Sequence, residues 1–230
     1  YGDQKEILPF IGQESPMEYD LTTAIKKISV KDKPALGVIQ GHGEPQAARM
    51  QQAMQALSVI YSIESIDLVA EAAIAPRYQA LLLVNPVDSF PEDQFAKLNA
   101  YLAQGGKIIA AVNAVNGDLS TATGTAISNN VLTWLSSLGV NVEPFFVIDA
   151  SCAKVTVQQQ ASGMFRFASQ INFPYLPLVS KFPEHPTTKG LEAVIFQFAS
   201  PINFSADAAG SFIPIVTTSE KAGTQPRIPY

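Results

Sequence analysis

Cysteine is almost missing from this chain: Cys152 is the single one in 230 residues, so no internal disulfide can form. That says little about compartment, because many proteins of oxidising compartments also lack disulfides. Charge is sparse as well, with 15% charged residues, and no cluster of Lys or Arg stands out. A net charge of −5 gives no electrostatic footprint for nucleic acid and would weakly repel an anionic membrane surface. No apolar run approaches the roughly 18 residues of a membrane span. The sequence starts at Tyr1 with no signal-peptide pattern, so it reads as an excised fragment, and any anchors would lie outside it.

Hydrophobic residues make up 47%, ample for a core and too apolar for disorder. Residues 1–16 read as an irregular lead-in. Leu21, Ala24, Ile25 and Ile28 then fall at helical spacing. Residues 35–40 predict a core strand that ends abruptly in Gly41-His42-Gly43-Glu44-Pro45, with Pro45 suited to the first turn of a following helix. Ala47, Met50, Met54 and Leu57 give that helix one apolar face. Residues 59–68 predict a second strand. The uninterrupted run 80–84 has the look of a strand buried on both faces of a parallel sheet. Ser89 and Glu92 have capping-box spacing, Phe95, Leu98 and Leu102 form a helical stripe, and Gly105-Gly106 ends it. Residues 107–112 predict the next strand.

This β-α-β-α-β alternation predicts a parallel sheet covered by helices, an α/β core over residues 17–139. Within it, residues 113–130 read as a long Gly/Ser/Thr/Asn-rich loop, and Val131, Leu132, Leu135 and Leu138 as one more helix ended by Gly139. After residue 140 the texture changes to short Val/Ile/Phe runs at 140–150, 153–159, 165–173, 194–198 and 212–217. Prolines at 174, 177, 183, 186, 201 and 214 interrupt them. Residues 140–230 therefore read as a β-rich C-terminal part packed on the same domain. Phe165, Phe167, Phe173, Tyr175 and Phe182 pack in a core by default, and would mark a protein-contact face if exposed.

Several segments resemble a known family. Gly41-His42-Gly43-Glu44-Pro45 after a strand resembles the turn of gliding-motility (GldG-type) auxiliary proteins of ABC transporters. Residues 101–107, 182–191, 198–202 and 217–220 are similar in kind and order. The resemblance implies a soluble domain of flavodoxin-like, class I glutamine amidotransferase-like fold, a three-layer sandwich. It implies membrane attachment through segments outside this chain, on the extracytoplasmic (periplasmic) side of a bacterial inner membrane. It also implies an ABC permease and ATPase as partners. It supplies no catalytic residues.

The residues themselves argue against the common chemistries. An amidotransferase needs a nucleophile on a sharp turn after a central strand, and the run 80–84 leads into Asn85-Pro86-Val87 instead. Cys152 lies among β-type residues without flanking glycines, and no Gly-x-Ser-x-Gly occurs. The Gly41–Gly43 turn could offer N–H groups to an anion, but it is no phosphate loop; it reads better as a tight strand-to-helix turn capped by its own side chains, with Glu44 complementing the helix dipole. His42 and His185 each neighbour a glutamate, yet their spacing demands no shared metal. Gly41, His42, Gly43, Glu44, Asn85 and Asp88 are the candidate ligand-binding residues, lining one crevice at the carboxyl edge of the sheet. The expectation is a non-enzymatic accessory domain without cofactor, binding a partner subunit or a small ligand. The alternative is a ligand-binding or hydrolytic amidotransferase-like domain at the His42/Glu44/Asp88 crevice.

Overall fold

The computed structural model describes residues 17–29, 32–119, 123–160, 166–205 and 211–226. The lead-in expected over residues 1–16 and the strand start expected at Phe165 lie outside these. The chain divides into two compact units, Tyr1–Val112 and Asn113–Tyr230.

In the first unit, helix α1 (Met17–Ser29) keeps the expected periodicity, but Met17, Leu21 and Ile25 on one face stay exposed. Periodicity reports an apolar face, not what covers it. Strand β1 (Ala35–Gln40) follows, then a short 3-10 turn (Ala47–Met50) running into helix α2 (Gln51–Ser58). Next come β2 (Ser62–Asp67), β3 (Tyr78–Val84), helix α3 (Glu92–Ala103) and β4 (Ile108–Ala111). The four strands form one parallel sheet in the order β2-β1-β3-β4. Its centre is the expected buried pair, β1 and β3, with Leu36 opposite Ala80 and Val38 opposite Leu82. Leu36, Val38, Ile39, Ile66, Leu81 and Leu83 are buried, as apolar strands flanked on two faces require. Gly37 carries no side chain where a Cβ would lie 2.2 Å from the Ile66 Cδ1, so Ile66 fills that space.

Helix α3 departs from its expected details. Pro91 stands just outside it, and no side chain caps its start, so the Ser89–Glu92 box is not made. The buried stripe is Gln94, Leu98 and Tyr101, with Phe95 and Leu102 half-buried beside it. Tyr101 turns inward because its hydroxyl donates to the Tyr78 carbonyl (3.0 Å). The helix ends as expected. Gly105 has φ +85°, Gly106 N–H bonds the Tyr101 carbonyl, and Gly105 N–H bonds that of Leu102 (2.9 Å each).

In the second unit, the expected loop 113–130 contains a hairpin of β5 (Val115–Asp118) and β6 (Thr123–Ala126). Its cross-strand pair Gly117↔Gly124 explains why composition suggested a loop. A Cβ on Gly117 would lie 2.4 Å from the Phe198 ring, and one on Gly124 2.5 Å from the Phe146 ring. The glycines are therefore seats for two aromatics. Helix α4 (Asn130–Ser137) follows, then β7 (Val140–Val142), β8 (Phe146–Asp149), β9 (Cys152–Gln160), β10 (Arg166–Val179), β11 (Val194–Ile195), β12 (Ile202–Phe204) and β13 (Ala222–Gln225). All pair antiparallel: β11-β10-β9, β12-β7 and β13-β8. The strand expected over 212–217 does not form, and β13, with no apolar alternation, takes the place beside β8.

Two side chains fix this unit. Asp149, buried at the end of β8, accepts the N–H of Ser151 (2.8 Å), the N–H of Ser219 (2.8 Å) and the Ser219 hydroxyl. That clasp brings residue 219 to β8 and so sets β13. Asn113 donates to the Phe198 carbonyl (2.7 Å) and accepts the Ser200 N–H (2.9 Å), while the Ser200 hydroxyl accepts the Ala114 N–H (3.0 Å). Phe198 sits at φ +52°, unusual for a side chain of that size. These bonds, with Phe198 N–H on the Tyr175 carbonyl, hold it there. Its ring completes a cluster with Val115 and Phe146, against which Phe173 and Tyr175 pack.

Burial pushes the Asp149 carboxyl up, but the hydrogen bonds from Ser219 and Ser151 outweigh it and hold the group below the ordinary aspartate range. A depressed carboxyl stabilises the fold above its unfolded pKa and loses that contribution as pH falls through the lower native value. Asp149→Asn should therefore cost about 1–3 kcal/mol near neutral pH. Urea titrations should show the gap to the parent chain closing below about pH 4. Gly117→Val should cost about 1–3 kcal/mol in the same assay, because the Phe198 ring must leave its seat.

Candidate functional site

The strand order turns at β1: the chain moves outward to β2, then returns to place β3 on the other side of β1. The loops leaving β1 and β3 consequently emerge side by side, the usual place for a crevice in an open parallel sheet. These are the two loops that carry Gly41, His42, Gly43, Glu44, Asn85 and Asp88.

The junction is built on one carbonyl. The His42 carbonyl accepts the N–H of Val87 (2.8 Å) and of Asp88 (2.9 Å), tying the two loops together. That approach needs glycine on both sides. Gly41 has φ +116° and Gly43 φ +75°. A Cβ at Gly43 would meet Val87 Cβ at 3.0 Å and Asp88 Oδ2 at 3.2 Å. Asn85, at φ +40°, turns the exit of β3 in a conformation asparagine tolerates, and its N–H bonds the Ala111 carbonyl (2.8 Å).

The two titratable side chains of the turn point inward. The Glu44 Oε2 accepts the N–H of His42 (2.6 Å), so the glutamate closes the turn on its own backbone. Its Oε1 lies 3.3 Å from His42 Nδ1 without the alignment of a hydrogen bond, and both atoms are buried. The His42 ring stacks on Phe90, centroids 3.6 Å apart and planes 13° apart. Side-chain exposure is 6% for His42 and 0% for Glu44. Asp88, Gly41 and Gly43 are exposed and Asn85 half-buried, so the accessible rim is backbone plus one carboxylate. Phe90, 2% exposed, is the member of this junction that sequence reasoning missed. Its signal was an aromatic just before Pro91.

Two expectations change here. Pro45 and Glu44 do not lie in the first turn of a helix, because α2 starts only at Gln51 after the 3-10 turn. Glu44 therefore serves the glycine turn rather than a helix dipole, and the turn does not abut a helix N-terminus that could take an anion.

Other candidate groups are accounted for locally. Cys152 is a free, half-buried thiol opposite Pro177 in the β9–β10 pair. His185 bonds Thr187 through Nδ1 (2.7 Å), and the buried Thr188 hydroxyl ties the same loop to the carbonyls of Pro183 and His185. Among the described residues, no group of three or more His, Cys, Asp or Glu is placed to hold a metal ion. A shallow cavity of about 350 Å³ in the first unit lies elsewhere, between residues 72–74 and the face of α3 bearing Ala96, Ala100 and Tyr101. No helix of the described residues is long and apolar enough to cross a membrane.

Comparison with known proteins adds three findings. The model of a family described as ABC-type uncharacterized transport system matches residues 33–230. No curated protein matches. Among solved structures, an mmIFT52 N-terminal domain is similar in fold, with a TM-score of 0.54 and 16% identity. That match covers 83% of this chain and 81% of the other.

Glu44→Ala should leave the His42 N–H buried without a partner and cost about 1–3 kcal/mol of urea stability. A ligand-binding glutamate held away from the turn would instead be replaceable with little loss.

Proposed function

The chain belongs to the ABC-type uncharacterized transport system family, as an accessory domain of such a system, and from this we propose that it works without chemistry of its own, by docking a transporter subunit. One observation carries the reading: the histidine and glutamate of the sheet crevice are withdrawn, leaving Asp88 as its one accessible carboxylate, while apolar side chains are left outside. His42 and Glu44 are buried in their turn. Ile195, Ile202 and Phe204, on short strands of the second unit, and Ile213 are exposed. Exposed apolar groups of this kind on short strands suit a protein contact better than a substrate pocket. The permease of a permease–ATPase pair is the partner proposed, met by this domain on the extracytoplasmic side. A gliding-motility assembly is the particular system that the GHGE turn suggests. The order β2-β1-β3-β4 supports a flavodoxin-like first unit, since that fold orders its strands 2-1-3-4-5.

A second reading has one observation in its favour. The rim at Gly41, Gly43, Asn85 and Asp88 lies where such sheets bind small ligands. A small cationic or hydroxyl-bearing ligand on Asp88 would fit it.

The test is affinity purification of the full-length protein from its own membranes followed by mass spectrometry. Recovery of an ABC permease is expected, and Ile202→Asp combined with Phe204→Asp should abolish it while the chain stays folded. Enrichment of small molecules with no transporter subunit would overturn the reading.

A further inference from the structure

We propose that the distal part of the β9–β10 ribbon is a docking arm that accepts an acidic, extended segment of a partner protein as an added strand. The proposal rests on the partner-binding reading above and specifies its chemistry.

The ribbon has a base and an arm. At the base, Phe173 and Tyr175 pack against Val115, Phe146 and Phe198, and Leu178 and Val179 pair with β11. A register break between Asn172 and Pro177 separates that base from a regular ladder running from Lys154↔Asn172 to Gln160↔Arg166. Among the described residues, no third strand pairs with this ladder on either side. Its two faces differ. Val155 and Val157 stand opposite Ile171 and Ser169 on one face, and Ile171 is 47% exposed. Lys154 and Thr156 stand opposite Asn172 and Gln170 on the other, all exposed.

A two-stranded ribbon is marginal in water, and a third strand with one apolar face is what stabilises it. Open edges of this length invite strand addition unless proline or charge blocks them. No proline interrupts Cys152–Gln160, and Lys154 is its single charge. The charge pattern selects the occupant. The two strands of the ribbon carry Lys154 and Arg166 and no Asp or Glu, in a chain of net charge −5. Edge pairing with a second copy would bring two cationic arms together, which is unfavourable. Burial in lipid would leave the open ladder unsatisfied. An alternating acidic and apolar strand satisfies the backbone, the charge and the Val155/Val157/Ile171 face together.

The test uses the 230-residue chain and two synthetic peptides of about ten residues, alternating Glu/Val and alternating Lys/Val. Hydrogen exchange of the amides of residues 154–157 is the readout. The Glu/Val peptide should slow exchange there about tenfold, an effect reduced by salt and lost in Lys154→Glu. The Lys/Val peptide should give none. No protection by the acidic peptide, or equal protection by both peptides, would overturn the proposal. So would binding to phosphatidylglycerol vesicles instead, or protection of the arm by dimerisation of the chain alone. A failure here while the permease still co-purifies removes the arm and leaves the accessory role. Peptide protection without permease recovery removes the role and leaves the arm.

Discussion

The first unit depends on a single acceptor, the His42 carbonyl, which holds the N–H groups of both Val87 and Asp88. Where two parallel strands end side by side, their exit loops must find partners for backbone groups the sheet no longer satisfies. Here one carbonyl does so for two amides, and the surrounding residues follow from it. Gly41 and Gly43 permit the turn, because positive φ and the nearby Val87 leave no room for a side chain. Glu44 folds back because the buried His42 N–H needs an acceptor that the sheet does not supply. The imidazole lies on Phe90 because the same turn brings it there. A motif with the look of chemistry, a histidine between glycines followed by a glutamate, is thereby occupied with closing the fold.

The second unit solves a similar problem with different groups. Its short antiparallel pairs have few ladder bonds each, so side chains supply the constraint. Asn113 grips the backbone at 198–200, and Asp149 grips the turn at 219. Both bring segments 70 or more residues apart in sequence into contact. Four of the segments that resemble gliding-motility auxiliary proteins coincide with such closures: the helix end at Gly105-Gly106, the Thr188 loop, the Phe198–Ser200 clasp and Ser219. The residues behind that resemblance are thus largely ones that fasten backbone.

The sequence made the first unit legible because its signals are local. An apolar run such as 80–84, a helical stripe and a Gly-Gly stop each declare themselves within a few residues, and the parallel sheet follows from their alternation. That the turn is capped by its own side chain was legible in the glycines and Glu44, but the dipole role given to Glu44 was not to be decided there, because a carboxylate beside a glycine turn looks alike whether it faces a helix or its own backbone. Only the delayed start of α2 decides. The β5–β6 hairpin was hidden because its paired glycines resemble loop composition, and their purpose lies in the rings of Phe146 and Phe198 far along the chain. β13 was hidden because Asp149, not apolar alternation, places it. Long-range clasps leave no periodic trace.

The central claim is that the histidine of the glycine turn is a structural group shut away from solvent. The chain has two histidines, so diethyl pyrocarbonate modification followed by peptide mapping separates them directly. The account predicts that His185 reacts in the native protein while His42 reacts only when the first unit is unfolded in urea. Modification of native His42 as fast as His185 would contradict it.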